Sequence, residues 1–183
     1  IYRKNSSWKT CNRKSKDTFK KLIMKIILGI DPGYDRMGVS IIEKESNTKY
    51  KILFSTCLES DRKTEINKRI FTIGKELKKI IQKYNPTELA IEKLFFTTNQ
   101  KTVMGVSEAR GAVIYLAQDL GLNVAEYTPL EIKMAITGYG KADKTQVYFM
   151  IKQIFKTEKE LNKKLDDEYD AIAVGYTHLI SVK

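Results

Sequence analysis

An apolar run that stops at an aspartate followed by Pro-Gly constrains this chain more than any other stretch. In residues 25–38, KIILGIDPGYDRMG, the continuous apolar and glycine positions 26–30 predict a strand covered on both faces, as in a parallel sheet. Pro32 cannot donate to a sheet ladder, so the strand ends there, and Gly33 permits a turn. Asp31 is thereby fixed at the strand's carboxyl end, where open α/β sheets place their ligands. A strand cap and a metal ligand are both readings of that aspartate. Alone, it does not decide between them.

The elements that follow set its context. Residues 38–43 (GVSIIE) and 50–59 (YKILFSTCLE) read as two further strands, joined by short links into an antiparallel meander. Ile66, Ile70, Ile73, Leu77 and Ile80 recur at helical spacing over 63–84, and Asn85-Pro86 stops that helix. A fourth strand over 87–92 (TELAIE) again ends in a carboxylate. A helix over 102–120 carries the small residues Gly105, Ala109, Gly111 and Ala112, and a fifth strand covers 122–127. Helices are expected over 129–136, 144–155 and 167–180, with GYGK (138–141) looping between the first two. The expected fold class is α/β: a five-stranded mixed sheet, a three-strand antiparallel meander plus two parallel strands, flanked by helices. Its element order resembles the RNase H-like fold.

At 183 residues the chain suits one domain that buries roughly 70% of its unfolded surface. The net charge of +11 is uneven: eight of the 33 Lys and Arg, against a single Asp, fall in the first 24 residues. We therefore expect residues 1–23 to be a basic leader, either a disordered arm or a start-site artefact, and the domain to span 24–183. Overall basicity is correspondingly weaker support for nucleic-acid binding than it looks. No apolar run approaches the roughly 20 residues needed to span a bilayer. Cys11 and Cys57 belong to no disulfide or zinc pattern, which fits a reducing, cytoplasmic setting.

Acidic residues carry the chemistry. A long helical connection makes the first and fourth strands parallel neighbours, so Asp31 and Glu92 should end at one edge of the sheet. The last helix opens with DDEYDAIA, where Asp167 and Asp170 share a face in the first turn, near the positive end of the helix dipole. Asp166, four residues from Asp170, could share it equally; spacing does not choose. Each acid taken singly could be a strand end or a cap. Jointly they suggest an all-oxygen site for Mg²⁺ or Mn²⁺. Two such ions about 3.5–4 Å apart suit phosphodiester hydrolysis. The one histidine, His178, lies roughly 16 Å along the helix from Asp167 and reads as a packed or surface side chain. No Walker-type phosphate loop is present.

Five ordered motifs make the chain, from Met24 onward, resemble the RuvC crossover (Holliday) junction endodeoxyribonucleases. They are IILGIDPG with Asp31, AIEKLFF with Glu92, EARG at 108–111, TGYGKADKTQV at 137–147, and DEYDAIA from Asp167. The resemblance implies that Asp31, Glu92, Asp167 and Asp170 are catalytic acids binding two Mg²⁺ ions, with Mn²⁺ able to substitute. The family pattern D-x-x-D-A-x-A selects Asp167 over Asp166. It further implies that Phe95 stacks on a base at the crossover and that Lys133 and Lys144 contact the DNA backbone. It also implies a homodimer that nicks two opposed strands of four-way junction DNA, often with a RuvA–RuvB branch-migration complex. Two departures stand out: Met37 replaces a threonine common in relatives, and the 1–23 leader has no counterpart. The Asp167 position is a histidine in some relatives.

The leading expectation is thus a Mg²⁺-dependent junction endonuclease of recombination and repair, leaving 5′-phosphate and 3′-hydroxyl ends. The alternatives are an RNase H-like nuclease acting on RNA–DNA hybrid or structured RNA, and a non-catalytic junction-binding protein. A nucleotide-binding member of the actin and sugar-kinase fold would need a second, duplicated domain, for which the length leaves no room.

Overall fold

The computed structural model describes residues 25–46, 48–94, 100–156 and 166–182. Strands β1 (Lys25–Asp31), β2 (Arg36–Ser46) and β3 (Lys49–Glu59) are followed by helix α1 (Ile66–Tyr84) and strand β4 (Glu88–Glu92). Helix α2 (Gln100–Asp119), strand β5 (Asn123–Tyr127) and helices α3 (Pro129–Thr137), α4 (Lys144–Phe155) and α5 (Asp166–Ser181) complete the order. The sheet order is β3-β2-β1-β4-β5. β1 pairs antiparallel with β2 and parallel with β4, β2 pairs antiparallel with β3, and β4 pairs parallel with β5. The expected five-stranded mixed sheet is therefore present. The leader expected over 1–23 lies outside the described residues.

Element ends differ from the sequence reading for local reasons. β2 runs from Arg36 to Ser46 rather than 38–43, because its two ends pair with β3, Arg36 with Glu59 and Ser46 with Lys49. The turn after Asp31 is clamped from α1. The buried Arg69 forms an ion pair with Asp35, donates from Nε to Ser60 Oγ at 3.0 Å, and lies 4.9 Å over the Tyr34 ring. α1 starts at Ile66 rather than 63, because Asp61 first closes a turn by accepting from the Lys63 and Thr64 amides. It ends as expected, with Asn85 left-handed at φ 50° and its amide bonded to the Ile81 carbonyl.

Strand alternation sorts the core into two layers. Leu28, Ile30, Met37, Val39, Ile41, Leu89 and Ile91 pack under α1 and α2 with Ile73, Leu77, Ala109 and Val113. Ile27, Ile42 and Ala90 face the other way, toward α3, α4 and α5. Asp31 and Glu92 have the parity of Ile27 and Ala90, so both strand-end acids fall on the layer that contains α5.

α5 lies directly on the sheet because small residues meet there. A Cβ at Gly29 would collide with the Ala171 carbonyl and one at Gly38 with the Asp167 carbonyl; Gly175 packs against Gly29 and Ser40. The buried Ser40 hydroxyl donates to the Ala171 carbonyl at 2.8 Å, tying α5 to β2. This docking puts the first turn of α5 over the strand ends. α3 and α4 start at capping boxes, Thr128 with Glu131 and Asp143 with Gln146, and these fix where Lys133 and Lys144 emerge.

Candidate active site

A cleft of about 370 Å³ opens where β1, β4 and α5 meet. Asp31, Glu92 and Asp170 line it, with Lys133 and Lys144 beside them and Pro129, Ile132, Val147 and Ala173 forming apolar walls. Three of the four acids expected from sequence, and both lysines, are therefore brought together. Phe95 lies outside the described residues.

The electrostatics follow from crowding like charges on an apolar wall. The Asp31 carboxyl is held well above the usual carboxylate range, first by burial, then by the charges of Asp170, Glu92 and Asp167. Burial, then Asp170, pushes Glu92 up to about 7, while Lys144 and Lys133 pull the other way. Burial also raises Asp170, although Lys144 Nζ sits 2.9 Å from its Oδ2 and opposes the shift. For Lys144 itself, burial is the largest single influence and acts downward, but the Asp170 bond together with the charges of Asp170, Asp166 and Asp31 outweighs it, and the ammonium is held the more firmly.

Asp167 is placed differently. It does not line the cleft; its Oδ2 accepts from Arg36 Nε at 2.5 Å and from the Cys57 thiol at 3.4 Å. Its charge still reaches Asp31 and Asp170. Burial, then the bond to Asp167, pushes the Cys57 thiol up to about 12. Glu168, the next residue, accepts from Ser55 Oγ at 3.0 Å. Tyr148, buried on α4, has a hydroxyl with no hydrogen-bond partner of acceptable geometry among the described residues. Burial and then the charges of Asp170 and Asp166 raise its pKa. Sequence reading missed Arg36, Cys57 and Tyr148. Register gives the signal for two of them: Gly38 pairs with Cys57, and Arg36 lies two residues before Gly38, so both side chains share Gly38's face under the start of α5.

The donor set suits a hard divalent cation. Every acid offers oxygen, and each carboxyl lining the cleft has its proton affinity raised by burial and neighbouring charge, which a cation would reverse. Lys144 supplies part of that counter-charge. Among the described residues, no three His, Cys, Asp or Glu side chains are close enough to grip an ion as they stand. His178 takes no part: it is buried, with Nδ1 2.7 Å from the Tyr127 hydroxyl and Nε2 2.6 Å from Glu88. It is the packed side chain its distance from Asp167 suggests.

Comparison with known proteins agrees with the geometry. Residues 27–178 match the family model described as "Crossover junction endodeoxyribonuclease RuvC". Curated proteins of that name from Petrotoga mobilis and Alkaliphilus oremlandii are 38% and 42% identical, each over 153 residues, 84% of this chain and 92% of theirs. The T. thermophilus RuvC solved in complex with a Holliday junction substrate superposes with a TM-score of 0.79 at 25% identity, covering 86% of this chain and 94% of that one. The yeast mitochondrial Holliday junction resolvase Ydc2, at 14% identity and a TM-score of 0.63, shares the fold. With matches over most of its length in both sequence and structure, this chain belongs to the RuvC family of crossover junction endodeoxyribonucleases.

Proposed function

We propose that this protein resolves Holliday junctions by hydrolysing one phosphodiester in each of two opposed strands. The observation that carries the reading is the cleft in which carboxylates from β1, β4 and α5 converge beside two lysines. Asp31, Glu92 and Asp170, with Asp167 at the edge, would hold divalent cations, two Mg²⁺ with Mn²⁺ as a substitute. Such ions supply a nucleophilic water and neutralise charge on the phosphoryl oxygens. The chain's own groups do the rest. The strand ends and the α5 docking hold the carboxylates still, and the apolar walls of Ile132, Val147 and Ala173 limit water and strengthen each charge. Lys133 and Lys144 would neutralise backbone phosphates, Lys144 from its place 2.9 Å from Asp170. Phe95 stacks on a base at the crossover. Hydrolysis would leave 5′-phosphate and 3′-hydroxyl ends.

Symmetric incision calls for two such clefts on a two-fold dimer. α2 offers a surface for a second copy, because Met104, Gly111 and Tyr115 recur along one stripe, with Met104 65% and Tyr115 72% exposed. A RuvA–RuvB motor and a cytoplasmic setting follow from the same reading. Among the described residues no helix is long and apolar enough to cross a membrane.

The test offers labelled four-way junction, linear duplex and RNA–DNA hybrid to the protein and to Asp31→Asn, with Mg²⁺ or EDTA. Paired nicks in the junction alone, lost with EDTA and in the variant, are expected. Cleavage of the hybrid instead would reassign the substrate, and junction binding without cleavage would make this a binding protein.

A further inference from the structure

Asp167 differs from the other three acids in being gripped from outside the cleft, and the grip has a definite geometry. The guanidinium of Arg36 is itself placed by two carboxylates. Its Nη1 lies 3.5 Å from Glu59, the residue that pairs with Arg36 across β2–β3, and its Nε lies 2.5 Å from Asp167 Oδ2. The Cys57 thiol, two residues before Glu59 on the same face, donates to that same Oδ2 at 3.4 Å. Both of these bonds converge on Oδ2. Below, Gly38 lets the Asp167 main chain rest on β2, so the residue cannot retreat from its partners. Both side chains are shielded, Arg36 at 30% and Asp167 at 25% exposure, which sets this pair apart from the open, screened pairs of the surface.

We propose that Arg36, assisted by Cys57, is a positioning residue for the cation site: it holds Asp167 by Oδ2 so that Oδ1 is the oxygen presented to a divalent ion. The inference rests on the reading of the four acids as cation ligands. Its physical basis is that a carboxylate pinned through one oxygen by a charge-assisted bond loses less freedom when the other oxygen is engaged. Partners of this kind typically contribute about 10–100-fold to metal affinity. The cost is a positive charge near the ion, so the sign of the effect is itself diagnostic. Positioning strengthens cation binding, whereas competition for Asp167 weakens it.

The experiment is a Mn²⁺ titration of the full chain without DNA, followed by the paramagnetic signal of free Mn²⁺. Arg36→Met keeps the length and loses the donor, and is expected to weaken Mn²⁺ binding by about tenfold. Arg36→Lys should recover part of the loss. Asp167→Asn should show a similar loss, and Arg36→Met added to it should cost nothing further, as for two residues acting as a unit. Melting curves by circular dichroism in EDTA identify any variant that has failed to fold, in which case Arg36→Lys and Cys57→Ala carry the test. Unchanged or tighter binding in well-folded Arg36→Met, while Asp31→Asn abolishes binding, would overturn the role of Arg36 and leave the site intact. If Asp31→Asn also leaves binding unchanged, the reading of the acids as ligands fails instead.

Discussion

Glu92 illustrates how one carboxyl couples the cleft to the stability of the whole protein. In an unfolded chain it titrates near 4.5; in the fold, burial and Asp170 move that to about 7. Between those values the folded protein keeps a proton that the unfolded chain has released. Stability therefore falls as pH rises from about 4.5 to about 7, and the deficit persists above that. Asp31 shifts in the same direction for the same reason. Glu92→Gln removes the charge that must form in the cleft. In EDTA its melting temperature relative to the unsubstituted protein should rise between about pH 5 and pH 8. A pH-independent difference between the two would contradict the burial-driven shift. Residues such as Asp31 and Glu92 were legible in sequence because each stands at a strand end marked by composition. Arg36 and Cys57 were not, since an Arg in a turn and a Cys in a strand have no pattern until register sets them beneath Asp167.

At the scale of elements, the acids meet because α5 lies unusually close to the sheet. Gly38→Ala would push its Cβ into the Asp167 carbonyl, and backbone cannot step aside as a flexible side chain can. We expect it to destabilise the fold by about 1–3 kcal/mol in urea unfolding. Gly74, in α1, has open space where an added Cβ would lie, so Gly74→Ala should be neutral or stabilise by up to about 1 kcal/mol. If the two variants unfold at the same urea concentration, close α5 docking is not what the glycine at 38 provides. The small residues of α2 show why such roles resist sequence reading. Gly105 is needed beneath Tyr34 and Ile66, and Ala109 is buried, yet Gly111 faces open space. All look alike in sequence. Which face each one meets depends on partners from distant elements.

For the whole molecule, the exposed α2 stripe and the two-fold character of a junction lead to one prediction about assembly. Tyr115→Glu with Met104→Glu should convert a dimer into a monomer in sedimentation velocity while leaving Mn²⁺ binding unchanged, and paired nicks should become single ones. A variant that remains dimeric would move the interface elsewhere. The sequence by itself determined the element order, the parallel pairing of β1 with β4, and the two acids at their ends, because apolar runs, breakers and connection length are local properties of the chain. It also placed Asp167 and Asp170 in one helical turn. Only the tertiary structure decided that Asp170 enters the cleft while Asp167 turns to Arg36 and Cys57. The two aspartates stand one helical turn apart. The direction each faces is set by the glycine contacts that seat α5 and by groups brought in from β2 and β3, more than 100 positions earlier in the chain.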